Sequence, residues 1–252
     1  VEGSNSAAPE ELEPTDDTAM SRDSLSQRIY ARLRLQLMTG FYEPGQRLNI
    51  RGLANTFETS QTPVREAVIQ LVREGALELR HGYQPRVPVL TLERYIKIRE
   101  TRVPLERLAG EQAAVHITSE QIDEMRHFHK LFMEAEAGED WKAAQVANQK
   151  FHFVIYHASN NEILISVIEN LWLLVGPFVN NQYPNIRQAA SDVHPHLLMI
   201  DALIRRSPAE VGELVVRDLR EGSYRILEQF RSGQMVPRGL GKRAGRRKAS
   251  TE

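Results

Sequence analysis

The chain has no cysteine, which excludes disulfides and any thiolate-held metal. It has no unbroken apolar run of roughly 18 residues, the length a helix needs to cross a bilayer, so no membrane partner is expected. Its first residues lack the basic-then-apolar pattern of a secretory leader, which places it in the cytoplasm as a sequence expectation. Lys and Arg are missing from residues 1–20, where Glu2, Glu10, Glu11, Glu13, Asp16 and Asp17 make an acidic stretch read as a disordered tail. Strand signals are missing between 91 and 232, and no fixed-period repeat occurs. HExxH and comparable hydrolase motifs are absent, and no Ser or Cys nucleophile sits beside a base, so the chain is read as not an enzyme.

What is present divides 252 residues into four parts: the tail 1–20, a small domain 21–90, a helical domain 91–232 and a basic tail 233–252. The overall class is mainly α, an N-terminal winged helix-turn-helix followed by an all-α bundle. In the small domain, Leu25, Ile29, Leu33 and Leu37 form one helical stripe that ends near Thr39-Gly40. Pro44-Gly45 makes a turn. A second helix places Ile50, Leu53, Ala54 and Phe57 inward behind Asn49 as cap. Glu58-Thr59-Ser60 then link to a third helix, with Thr62 as the expected capping hydroxyl and Pro63 following it. Val64, Ala67, Val68 and Leu71 are its buried face, and Gln61 and Arg65, four apart, share another. Gln and Arg are the side chains best shaped to grip adenine and guanine edges bidentately. Residues 77–80 and 84–89 flank His81-Gly82-Tyr83 as a short two-stranded wing. All basic residues from 21 to 90 are arginine, ten against six acids, although the whole chain carries a formal charge of −1. Such a local excess suits contact with double-stranded DNA.

Pro44-Gly45-x-x-Leu48, Leu53-Ala54, Ser60-x-Thr62-Pro63-x-Arg65-Glu66-Ala67, Leu71 and Glu74-Gly75 resemble the signature of the GntR family of bacterial transcription regulators. In its FadR-type members an Arg opening the second helix, two recognition-helix residues and a His-Gly wing tip grip DNA. The resemblance puts these roles on Arg51, Gln61, Arg65, His81 and Gly82, with Thr62 donating to a phosphate. Gln61 departs from the family's usual Arg, so the base pair it meets is expected to favour adenine over guanine.

Between 91 and 232 six helices are expected, near 92–115, 119–136, 140–158, 162–180, 186–206 and 208–231. Thr118-x-x-Gln121 and Ser207-Pro-Ala-Glu210 are the expected capping boxes, and Gly138, Asn160-Asn161, Pro177 and Pro184 the expected breaks or bends. Polar residues interrupt the apolar stripes: Arg102 among Tyr95, Ile98, Leu105 and Ala109; Asn148 with His152 beside Trp141, Ala144, Phe151 and Ile155; His196 among Val193, Ile200 and Leu203; and Asp218 among Val211, Leu214, Leu219 and Ile226. A buried charge needs a partner, since leaving it unpaired costs several kcal/mol by any scale. These residues are therefore expected to converge on one site. Asn148, His152, His196 and Asp218 make a feasible set for Zn²⁺, Ni²⁺ or Mn²⁺. The planar fork of Arg102 suits a carboxylate. Arg102 with Asp218 as a structural ion pair, and each histidine as an ordinary core residue, are the alternatives.

Arg102-x-x-Leu105-Glu106, Phe151-His152, Ala158-Ser159-Asn160-Asn161, His196-x-x-x-Ile200-x-Ala202 and Leu219 resemble the FCD domain, the C-terminal partner in FadR-type regulators. Many FCD domains hold a divalent metal through Asp and His four apart on one helix and a His on each of two later helices. Here those positions carry Asn148, His152, His196 and Asp218, so two of the four depart from the pattern. The resemblance implies a homodimer on an inverted-repeat operator, more often a repressor. Its small carboxylate effector would be bound by Arg102, His152, His196 and Asp218, with or without the metal. A purely dimerising, ligand-free helical domain, and a metalloenzyme with two histidines and one carboxylate, are the rival readings.

Overall fold

The computed structural model describes residues 17–80, 82–179 and 193–232. His81, both outer tails and residues 186–192 of the expected fifth bundle helix lie outside the described residues. Among those described, nine helices follow one another: α1 Asp17–Met38, α2 Ile50–Thr56, α3 Gln61–Arg73, α4 Leu92–His116, α5 Ser119–Ala137, α6 Trp141–Ala158, α7 Glu162–Val179, α8 Pro195–Ile204 and α9 Pro208–Arg231. The mainly-α class is as expected. α1 starts at Asp17, inside the stretch read as tail.

The small domain is a helix-turn-helix. Ile29, Leu33 and Leu37 of α1 are buried against Val64, Ala67, Val68 and Leu71 of α3. Asn49 caps α2 by accepting from the Gly52 amide at 3.1 Å. The turn is closed by Glu58 in the left-handed region (φ 52) and by the Thr59 amide donating to the Ala54 carbonyl. Such a bond around a left-handed residue ties off orphan carbonyls at a helix end. The start of α3 differs from expectation. Ser60 is its N-cap residue and makes no side-chain cap bond. Thr62 lies inside the first turn, and Pro63 still occupies a position whose N–H would have no helical partner. The wing is reduced to isolated bridges in which Arg86 pairs with Glu78 and with Arg47. The Leu48 amide donates to the Pro85 carbonyl beside them.

In the larger domain α4 packs along α9, α5 along α6, and α8 against both α5 and α9. Gly110 lets α4 and α9 cross closely, since a Cβ there would lie 3.2 Å from Val211 and Val215 methyls. The Thr118 capping box forms in full. Ser207 is the N-cap of α9 without a side-chain cap bond, and Glu210 pairs with Arg205 at 2.5 Å. α7 runs through Pro177. By length and composition α7 is the one described helix apolar enough to cross a membrane. Its Ile168, Trp172, Leu173, Val175 and Phe178 are buried in the protein core, and Glu169 pairs with Arg34 of α1 at 2.8 Å.

The two domains meet along α1 and α7. A Cβ on Gly176 would lie 2.3 Å from the Leu37 carbonyl oxygen and 2.5 Å from that of Met38. Only glycine admits this approach of two backbones.

Candidate functional site

On the reader, Arg51, Gln61, Thr62, Arg65 and Gly82 are all exposed. Gln61 and Arg65 form one array, with Arg65 Nη2 3.4 Å from Gln61 Oε1. They stand opposite the buried Val64–Leu71 face, so α3 presents its first turns to solvent while its other side anchors it. Gly82 has φ 77, a conformation that favours glycine at a wing tip.

In the helical domain, α6, α8 and α9 bring His152, His196 and Asp218 together, with ligand-capable atoms all within 4.8 Å of one another. His152 is 3% exposed and His196 1%, so their surroundings, not water, must satisfy them. His152 Nε2 lies 3.1 Å from Asp218 Oδ2. The Nδ1 atoms of His152 and His196 are buried with no hydrogen-bond partner among the described residues. Buried polar atoms are rarely left so, because each costs about 1–3 kcal/mol. Lone pairs held ready in this way fit a cation. Asn148 is half-buried on the same helix face as His152.

Arg102 stands one layer away. Its Nε donates to Glu106 Oε1 at 2.5 Å, and its guanidinium lies over Trp172, 4.6 Å from the ring centroid. Glu106 also accepts from the Tyr156 hydroxyl at 2.6 Å and the Trp172 indole N–H at 3.0 Å. Burial opposes the Arg102 charge, but the Glu106 carboxylate more than offsets this and its pKa rises. Tyr156 is pushed well above the usual phenol range by burial, then by Glu106. Arg102 therefore takes its counter-charge from Glu106 on its own helix, while Asp218 takes His152. Trp172 joins the two layers, its ring 5.8 Å from that of His152.

The roles of three residues escaped the sequence reading. Glu106 stands in the FCD pattern four residues after Arg102, but nothing marked it as the counter-charge of that arginine. His129 of α5 and His194 also belong to the site, since His129, His194 and His196 bring ligand-capable atoms within 4.8 Å of one another. His129 falls on the Ile122, Met125, Phe132 stripe of α5, a spacing that marks it as inward-facing. His194 was hidden because α8 starts at Pro195 and not near 186. It is the N-cap of α8, its Nδ1 accepting from the His196 amide at 3.1 Å, and the preceding Val193 is exposed instead of lining a stripe. Burial lowers the pKa of His129, of His194 to about 4, and of His196 well below the ordinary histidine value. The three imidazoles are neutral near pH 7.

The family models for bacterial regulatory proteins of the gntR family and for the FCD domain match residues 25–85 and 97–221. The chain belongs to the gntR family. It is 32% identical over 213 residues to the HTH-type transcriptional regulator McbR of Escherichia coli K12, covering 83% of this chain and 96% of that one. The solved structure of E. coli McbR/YncC superposes with a TM-score of 0.76 at 27% identity, covering 82% of this chain and 98% of that chain. The E. coli K12 HTH-type transcriptional repressor RspR is 22% identical over 205 residues, covering 80% of this chain and 89% of its own. The protein is thus a DNA-binding transcriptional regulator with an FCD effector-binding domain, and its family is one of regulators and not of enzymes. FCD domains bind metal in some cases, and the His/Asp cluster lies in this one.

Proposed function

We propose that this regulator works as a homodimer in the bacterial cytoplasm, placing two copies of α3 on an inverted-repeat operator as a repressor. Its DNA affinity is set by a small carboxylate bound in the helical domain beside a divalent cation. Gln61 and Arg65 read base edges. Arg51, Thr62 and the His81-Gly82 wing hold the backbone. The observation that carries the sensing half is the inward convergence of His152, His196 and Asp218 from three helices, with two imidazole nitrogens buried and unpartnered. RspR, a relative named as a repressor, supports the sign of regulation. α7 is the physical link to the reader. It carries Trp172 at the site, Glu169 on Arg34, and Gly176 against the end of α1.

An effector can shift DNA affinity only by its differential affinity for the two arrangements of the readers, about 1–3 kcal/mol. Fluorescence anisotropy of the full chain on an inverted repeat from its own promoter tests this. The expected result is salt-sensitive binding tighter than on random DNA, weakened about 5- to 150-fold by one member of a small-carboxylate panel. Equal binding to random DNA would refute the operator. Indifference to every acid, with and without Zn²⁺ or Ni²⁺, would leave the ligand-free, dimerising helical domain as the better account.

A further inference from the structure

The cation of the proposed site has two competing ligand sets that share His196, one with His152 and Asp218 and the other with His129 and His194. We propose that it is held by His129, His194 and His196, an all-imidazole site at the junction of α5 and the start of α8. This rests on the metal-assisted reading above and moves the metal away from the His152–Asp218 pair.

Four observations favour this set. His152 Nε2 and Asp218 Oδ2 already satisfy one another at 3.1 Å, so taking both as ligands breaks an existing bond. Position 148, where the FCD pattern carries a carboxylate, holds an amide in this chain. An amide is a poorer metal donor and brings no charge. His129 and His196 each hold a buried Nδ1 with no partner; His152 does too, but its Nε2 is already taken by Asp218, whereas the His129 orphan is left unexplained by the other set. Their rings lie 5.5 Å apart, and that of His194 lies 5.1 Å and 4.5 Å from them. Phe132 and Phe151 wall the group, with Phe151 stacked on His196 at 3.8 Å, so water competes poorly for the same lone pairs.

His194 adds a consequence. Its Nδ1 accepts from the His196 amide, which places the ring proton on Nε2 in the metal-free protein. Coordination either takes the Nδ1 lone pair from that amide or moves the proton to Nδ1 so that Nε2 can ligate. Either way the side-chain cap of α8 is exchanged for a metal bond. Three neutral nitrogen donors, with no carboxylate among them, select Zn²⁺, Ni²⁺, Co²⁺ or Cu²⁺ over Mn²⁺, Mg²⁺ or Ca²⁺.

The test uses the chelator-stripped full chain. Zn²⁺ and Ni²⁺ affinities are measured by competition with a chromophoric chelator, and X-ray absorption on the loaded wild type counts the imidazoles. The expected result is one ion bound with three imidazoles. His129→Gln and His194→Gln should each weaken binding at least about tenfold, and Asp218→Asn by less than about threefold. The X-ray count does not depend on any variant folding. Wild-type affinity in either histidine variant, a larger loss in Asp218→Asn, or a two-imidazole shell with a carboxylate would overturn this ligand set while leaving a metal-assisted sensor intact. No uptake of either ion by the wild type would sink both.

Discussion

Gly176→Ala tests whether the seam between α1 and α7 is held by backbone contact. Inside a helix this substitution ordinarily stabilises, by about 1 kcal/mol, because alanine gives up less backbone entropy on folding. The new methyl would here sit 2.3 and 2.5 Å from two carbonyl oxygens and 2.6 Å from the Met38 Cα. All three are backbone atoms, so no side chain can rotate away. The shortest gap falls about 0.7 Å below the 3.0 Å that real Cβ atoms respect. Overpacking of this kind costs about 1–3 kcal/mol, and backbone resistance places it at the upper end. The steric cost wins, with a net loss of about 1–2 kcal/mol. For a chain of this size each kcal/mol moves Tm by roughly 2–4 °C, so calorimetry should show a fall of about 2–8 °C, with the two domains beginning to melt separately. Gly222→Ala is the internal control. Gly222 also lies in a helix, but a Cβ there meets nothing within 4 Å, so its Tm should rise by roughly 2–4 °C. A Tm in Gly176→Ala equal to or above wild type would refute the close-approach argument.

Two further outcomes follow from the buried polar groups. Glu106→Ala strands Arg102, which is 9% exposed, without its counter-charge, and urea unfolding should show a loss of about 3–5 kcal/mol. Arg102→Met added to Glu106→Ala should recover much of that loss, and a loss under about 1 kcal/mol in Glu106→Ala would contradict the pairing. The metal-free protein should lose stability as the pH falls from about 6.5 toward 4. His194 is held near pKa 4, first by burial, then by His129 and His152, and against the pull of Asp218. A group whose folded pKa is depressed binds more protons when unfolded, so its contribution is complete above the ordinary histidine range and fades below it. The urea midpoint should drop between about pH 6.5 and 4, less so in His194→Gln, and an unchanged or rising midpoint would contradict the buried, neutral imidazoles.

What the sequence revealed and what it concealed follow from the range of the interactions involved. The reader was legible because its information is local. Val64, Ala67, Val68 and Leu71 fix which side of α3 is buried, and that leaves Gln61 and Arg65 outside. The helix start was misplaced by two residues because Ser60 and Thr62 are both good caps, and only the backbone angles of Ser60 decide between them. The polar interruptions in the bundle were legible as buried groups needing partners, but their partners were not. Arg102 found a carboxylate one turn along its own helix, whereas Asp218 found His152 on another. Periodicity reports which face a residue occupies and is silent about which helix lies opposite. His129 shows the limit most clearly. Its spacing on α5 marks it as inward, yet only the packing of α5 on α8 makes it a neighbour of His194 and His196. Lone pairs from separate helices acquire a shared chemistry only once the bundle closes, so ligand identity is a property of the crossing of α5 and α8 and of neither helix alone.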